Sequence, residues 1–218
     1  MGLDVRTLRP RAIWGVGLNY RGHVAETGRD VPSAPTIFMK SPGSLIGHGD
    51  AIVVPPHVLE PDYEGEVALI MGRSGRDIPE DEARDFILGV TCANDVSARD
   101  HQYVTGQWVW SKSFDTFCAI GPELVPADLL DLDDLALSTR LNGDVVQAAS
   151  TSELVFPVAR LVSEISRGIT LAAGDIILTG TPAGVGSARV PPRFLEDGDV
   201  VEVAIEGVGR LRNTVTRA

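Results

Sequence analysis

The sequence is poor in cysteine, in positive charge and in long apolar runs, and each scarcity narrows what the protein can be. Only Cys92 and Cys118 occur in 218 residues. Each lies inside an apolar stretch, so two buried, reduced thiols are expected and a disulfide framework or zinc site is not. A catalytic thiol is not favoured. Lys plus Arg number 19 against 30 Asp plus Glu, a formal charge of −11, and no dense Lys/Arg cluster offers itself to nucleic acid or an anionic membrane. Both partners are rejected. No apolar run approaches the ~20 residues that span a bilayer, and residues 1–10 alternate charges where a secretory leader would carry an apolar core. A cytoplasmic protein is expected. Internal repeats, low-complexity tracts and domain-parting linkers are also missing. The expectation is one catalytic domain over 1–218, burying roughly 70% or more of the surface its unfolded form exposes.

What is present is punctuation. Twenty-three glycines and 14 prolines divide the chain into apolar runs of strand length, which predicts a mixed, β-rich α+β fold with a few short covering helices. Strands are expected at 12–16, 36–40, 51–54, 64–71, 88–94, 118–124, 137–141, 175–178, 200–205 and 209–215. Asn142-Gly143 signals a hairpin into a further strand starting near Val145. Helices are expected at 79–86, opened by proline and acidic residues, and at 157–167, with Gly168 just beyond.

The most informative residues are Glu64 and Glu66, at the head of the apolar run Val67-Ala68-Leu69-Ile70-Met71. On a strand, positions two apart share a face, so both carboxylates point the same way from a segment that looks buried. Buried like charges need a cation or a shared proton. The alternative is the solvated end of an edge strand, although both faces of the run turn apolar within a few residues. Asp95, where the strand at 88–94 turns polar, is the candidate third ligand, or else a helix N-cap. Three carboxylates suit Mg²⁺ or Mn²⁺ and disfavour zinc. Asp100 reads as a helix-start or surface residue.

After the first strand comes Gly15-Val16-Gly17-Leu18-Asn19-Tyr20. Tyr20 replaces the third glycine of a dinucleotide loop, so that site is rejected. His23 and Glu26, three apart, share one face of a helical turn, where the carboxylate can orient the imidazole as a general base; a solvated surface pair is the alternative.

Five segments in this order, G-L-N-Y-R-G-H-V-A-E, D-Y-E-G-E-V-A-L, N-D-V-S-A-R-D, K-S-F-D-T-F-C-A-I-G-P and L-T-G-T-P-A-G-V-G, make the chain resemble the fumarylacetoacetate hydrolase family from about Ile13 to Val215. It looks like the short form, without the extra amino-terminal domain of longer members. The resemblance implies a β-roll, usually homodimeric, with Glu64, Glu66 and Asp95 as ligands of Mg²⁺ or Mn²⁺. It implies His23 and Glu26 as the water-activating pair, on a segment that orders over substrate, and Lys112 as the active-site lysine. Arg99, Gln102 and Thr181 match polar positions that face substrate or support the metal. Between His101 and Trp110 the sequence departs from relatives, so specificity does not carry over. Trp108 and Trp110 line the pocket or pack as core, and Gly180, Gly184 and Gly186 form either a tight loop beside substrate or a plain turn.

The reaction expected first is hydrolysis of a C–C bond in an acylpyruvate-like diketo acid through a metal-stabilised enolate. Decarboxylation of oxaloacetate, or isomerisation of a 2-hydroxy-dienedioate, is the alternative at the same site. A non-catalytic metal-binding protein is the remote one.

Overall fold

The structure is a computed structural model and describes residues 7–104 and 106–218. Residues 1–6, on which part of the case against a secretory leader rests, lie outside the described residues. No helix among the described residues is long and apolar enough to cross a membrane.

The strands are short because glycine, proline and polar turns interrupt the apolar runs every few residues. In chain order the first are β1 (Ile13–Gly17), β2 (Thr36–Lys40), β3 (Leu45–Ile46), β4 (Ala51–Val54) and β5 (Pro61–Asp62). Then come β6 (Gly65–Met71), β7 (Ile87–Asp95), β8 (Ser97–Ala98), β9 (Cys118–Pro126) and β10 (Ala136–Leu141). The last are β11 (Asp144–Ser150), β12 (Ile176–Leu178), β13 (Val200–Ile205) and β14 (Gly209–Arg217). The α-helices are α1 (Arg21–Glu26), α2 (Arg99–Gln102) and α3 (Val158–Ser166). This is the mixed, sheet-dominated architecture that the sequence predicts.

Seven strands form one sheet in the order β2-β1-β12-β6-β7-β9-β3, five form a second in the order β11-β10-β13-β14-β4, and β5 pairs with β8 in a small ribbon. The main core fills the space between the sheets: Val67, Leu69 and Met71 from β6 and Val90 and Cys92 from β7 meet Leu137, Val203 and Leu211. Helix α3 closes the same core with Val158, Leu161, Val162 and Ile165, spaced for one apolar stripe. The other face of the large sheet is also dry, packed with Ile13, Ala68, Ile70, Ala93, Cys118 and Leu178. All seven residues of β6 are therefore buried, and anything polar on it lies out of water.

One expectation shifts, and several short elements have no counterpart in the sequence reading. The segment expected as a helix at 79–86 is a 3₁₀ helix, Glu80–Phe86, in which only Ala83 is buried, so no apolar stripe rewards α geometry. Helices α1 and α2 are single turns too short to show a period. The strands β3, β5 and β8, two residues each, carry no sequence pattern at all.

Burial pushes the Cys92 thiol up to about 11 and the Cys118 thiol up to about 12. Neither is expected to react with Ellman's reagent in the native protein at pH 8, where about a thousandth or less of each is thiolate. Both should react on unfolding in guanidinium, and a fast native phase would show the sheet to be open there.

Candidate active site

The pairing of β6 with β7 sets the acidic cluster. Glu66 lies opposite Ala93 and Gly65 opposite Asn94, while the Asp95 N–H donates to the Glu64 carbonyl at 2.8 Å. Positions two apart share a face, so Glu64, Glu66 and Asp95 emerge together beside Ala68 and Ala93. Their carboxylate oxygens lie within 4.8 Å of one another, and the residues are 5%, 1% and 0% exposed. The solvated-edge alternative for the glutamates does not hold. Nor is Asp95 a helix cap, since Ala98 occupies the N-cap of α2 with no side-chain bond.

Three buried cations converge on the trio. The Lys112 ammonium donates to Glu64 Oε2 and Asp95 Oδ2, both at 2.7 Å, and to Ser97 Oγ at 2.8 Å, which engages all three of its donors. Lys40, at the end of β2, donates to Asp95 Oδ1 at 2.5 Å. Arg99 donates through Nε to Asp62 at 2.8 Å and through Nη1 to Gln102 Oε1 at 2.9 Å, while its Nη2 lies 2.7 Å from Glu64 Oε1. Sequence reasoning singles out Lys112, Arg99 and Gln102 and misses Lys40 and Asp62. Lys40 is the last residue of an edge strand, and only its register opposite the fully buried Ile13 shows that it faces inward.

The three carboxylates respond differently to one dry site. Burial works against ionisation of Glu64, but Lys112 and then Arg99 outweigh it and hold its pKa down at about 2. Glu66 goes the other way: burial first, then the charges of Asp95 and Glu64, push it well above the usual carboxylate range. Among the described residues Glu66 has no ion-pair partner, and only the Gly180 N–H, at 2.7 Å, donates to it. Burial opposes the charge on Lys112, yet Asp95 and Glu64 raise its pKa and keep it protonated. A hard divalent cation among these oxygens would supply the charge that Glu66 lacks, and an all-carboxylate donor set suits such an ion.

Helix α1 brings a second pair to the same cavity. The Asn19 carboxamide pins its start, donating to the Thr179 carbonyl at 2.8 Å and accepting the Phe156 N–H at 2.8 Å. His23 Nδ1 stands 3.0 Å from Glu26 Oε2, and Glu26 Oε1 accepts the Gly184 N–H at 2.7 Å. The fixed carboxylate selects the tautomer with the proton on Nδ1, which leaves Nε2 as the basic nitrogen. The glycine segment is therefore no plain turn: Gly180 and Gly184 aim backbone N–H groups at Glu66 and Glu26. Gly184 holds φ +105°, and a Cβ there would stand 2.0 Å from the Val146 carbonyl oxygen. Asp62 ties down the rest of the loop by accepting N–H bonds from Gly186 and Ser187 at 2.7 and 3.0 Å. Thr181 accepts from Gln147 Nε2 and donates to the Gly65 carbonyl, which positions its side chain against the head of β6.

His23, Glu26, Glu64, Arg99, Gln102, Lys112 and Thr181 all line one cavity of 490 Å³. Trp108 forms part of its wall, its ring edge-on to Phe38 with centroids 5.6 Å apart. It fits there because Gly17 is opposite: a Cβ on Gly17 would stand 2.3 Å from the indole. Trp110 is 53% exposed and neither lines the cavity nor packs as core.

A sheet-built cavity lined by the buried carboxylate Glu64, with two further carboxylates clustered behind it and a histidine–carboxylate pair in its wall, is suited to acid–base chemistry. The chain belongs to the fumarylacetoacetate hydrolase family and is an enzyme of it: the family model described as fumarylacetoacetate hydrolase C-terminal matches residues 12–216. It is 44% identical over 209 residues to the mitochondrial oxaloacetate tautomerase Fahd2a of Rattus norvegicus, covering 95% of this chain and 67% of that protein. It is 42% identical over 204 residues to the oxaloacetate tautomerase YisK of Bacillus subtilis, covering 92% and 68%. Among solved structures, the 5-carboxymethyl-2-hydroxymuconate delta-isomerase from Mycobacterium smegmatis superposes with a TM-score of 0.87 at 43% identity, covering 97% of this chain and 80% of that one.

Removing Lys40 leaves a buried, partly uncompensated Asp95. Lys40→Met is expected to lower the unfolding free energy in chelator by about 3–5 kcal/mol, read by urea denaturation. A loss below about 1 kcal/mol would mean that Lys112 alone neutralises Asp95.

Proposed function

We propose that the chain is a Mg²⁺- or Mn²⁺-dependent enzyme that acts on small 2-oxo acids through their enolates, chiefly as a tautomerase or isomerase, with decarboxylation of oxaloacetate at the same site. The observation that carries this reading is a cluster of three buried carboxylates, one of which, Glu64, lines the same cavity as a histidine–carboxylate pair. The site draws on residues from Val16 to Phe194, which supports treating the chain as one catalytic unit. The tautomerase and isomerase names of the three relatives favour this chemistry over the C–C hydrolysis that the sequence alone ranks first.

Glu64, Glu66 and Asp95 would hold the cation. When bound, it supplies Lewis-acid stabilisation of the negative charge that develops on the 2-oxo oxygen. His23 Nε2 takes the proton from the carbon next to the carbonyl, and the charge that appears on the imidazole is matched by Glu26, itself fixed by the Gly184 N–H. Returning that proton to a different atom, the enol oxygen in a tautomerase or a more distant carbon in an isomerase, completes the reaction without net gain or loss. Lys112 and Arg99 stay protonated throughout and balance the carboxylates around the reacting group. Hydrolysis of an acylpyruvate is the second reading, because the same pair could deprotonate water.

In Mn²⁺ the keto–enol interconversion of oxaloacetate should be accelerated, chelator should abolish the effect, and acetylpyruvate should be cleaved more slowly. Acetylpyruvate cleavage outpacing tautomerisation would return the hydrolase reading. His23→Asn is expected to lower kcat for tautomerisation by about 10²–10⁴-fold, with Mn²⁺ affinity by electron paramagnetic resonance unchanged. Glu66→Gln should instead weaken Mn²⁺ binding by about tenfold or more. Tight metal binding by that variant would show that Glu66 is not a ligand.

A further inference from the structure

Four cationic or potentially cationic side chains line the cavity: His23, Arg29, Arg99 and Lys112. Three are engaged. His23 is held by Glu26, Arg99 by Asp62, Glu64 and Gln102, and Lys112 by Glu64, Asp95 and Ser97. Arg29 alone of the four has no hydrogen bond or ion pair from its side chain among the described residues. It is exposed as well as cavity-lining, which puts it at the solvent side, away from the buried carboxylates.

Its position is set by the backbone. Helix α1 ends with Gly28 at φ +66°, where the Gly28 N–H donates to the Ala25 carbonyl at 3.1 Å and the Arg29 N–H to the Val24 carbonyl at 3.4 Å. That pair of bonds is the Schellman turn, which glycine at this position favours because it adopts a left-handed conformation without strain. The turn that ends the catalytic helix thus delivers an unpaired guanidinium to the rim of the cavity. Glu60, half-buried, lines the cavity from the segment preceding β5. Its charge disfavours an anion beside it, whereas Arg29 offers an anion the matching charge.

We propose that Arg29 reads a second carboxylate at the end of the substrate remote from the 2-oxo group, so that the enzyme selects dicarboxylic over monocarboxylic 2-oxo acids. This rests on the 2-oxo-acid reading above and names the feature of the substrate that the rim recognises. Guanidinium suits the task because its planar fork can take both oxygens of a carboxylate. The 490 Å³ cavity leaves room for the two ends of such a molecule to sit apart.

The test uses N-oxalylglycine, a dicarboxylic 2-oxo acid with no carbon-bound proton beside its 2-oxo group, and N-oxalylglycinamide, which replaces the remote carboxylate by a neutral amide of similar shape. Binding of each to the Mn²⁺-loaded full chain is measured by calorimetry for the wild type, Arg29→Gln and Arg29→Lys. The wild type should bind the diacid about tenfold or more tightly than the amide. Arg29→Gln should bring the ratio to within about twofold, and Arg29→Lys should keep most of it. Equal binding of the two probes by the wild type, or an undiminished ratio in Arg29→Gln, overturns the proposal while leaving the 2-oxo-acid reading intact. If the Mn²⁺-loaded protein binds neither probe, that reading fails and this inference with it.

Discussion

Like charges held out of water are the constraint around which this molecule is arranged. Glu64, Glu66 and Asp95 project from adjoining strands onto a sheet face whose other occupants are aliphatic, and ionised carboxylates are costly there unless paired. Lys40 from β2, Lys112 from the loop before β9 and Arg99 from α2 reach the same spot from three separate parts of the chain. Their convergence ties the edge of the large sheet, the β5–β8 ribbon and helix α2 to the head of β6 and the end of β7. The polar cluster is therefore a structural crossing point as well as a site.

The cluster is also asymmetric, and the asymmetry has a chemical meaning. Glu64 and Asp95 are each matched by cations of the protein, whereas Glu66 receives a single backbone N–H and keeps a strongly raised pKa. A fully compensated trio would have little affinity for a metal, because an incoming ion would have to displace existing partners. One under-compensated carboxylate gives a divalent cation something to neutralise. The glycine loop after β12 serves both halves of the site with backbone groups alone, Gly180 toward Glu66 and Gly184 toward Glu26. One short segment thus contacts both the acidic cluster and the histidine pair.

The preference for isomerase chemistry over hydrolysis follows from the relatives rather than from any single side chain. In the proposed reading every route would begin by stabilising negative charge on a 2-oxo oxygen, and the carboxylates, lysines and His23 would serve all of them alike. What separates hydrolysis from the other routes is whether water enters the cavity, part of whose wall is formed by Trp108 and Phe38.

Much was legible in the sequence because it is written in short-range patterns. The alternation in residues 64–71 placed two glutamates on one face of a buried strand, the i, i+3 spacing paired His23 with Glu26, and apolar runs between glycines and prolines marked the ten principal strands. Lys40, Asp62 and the position of Arg29 could not be read that way. Each depends on which strands become neighbours, on the register between them, or on how a turn directs the chain back over a cavity, and these are settled by packing two sheets against each other. A sequence specifies the face a residue takes within its own element; what lies across from that face is decided only when distant elements compete to bury it.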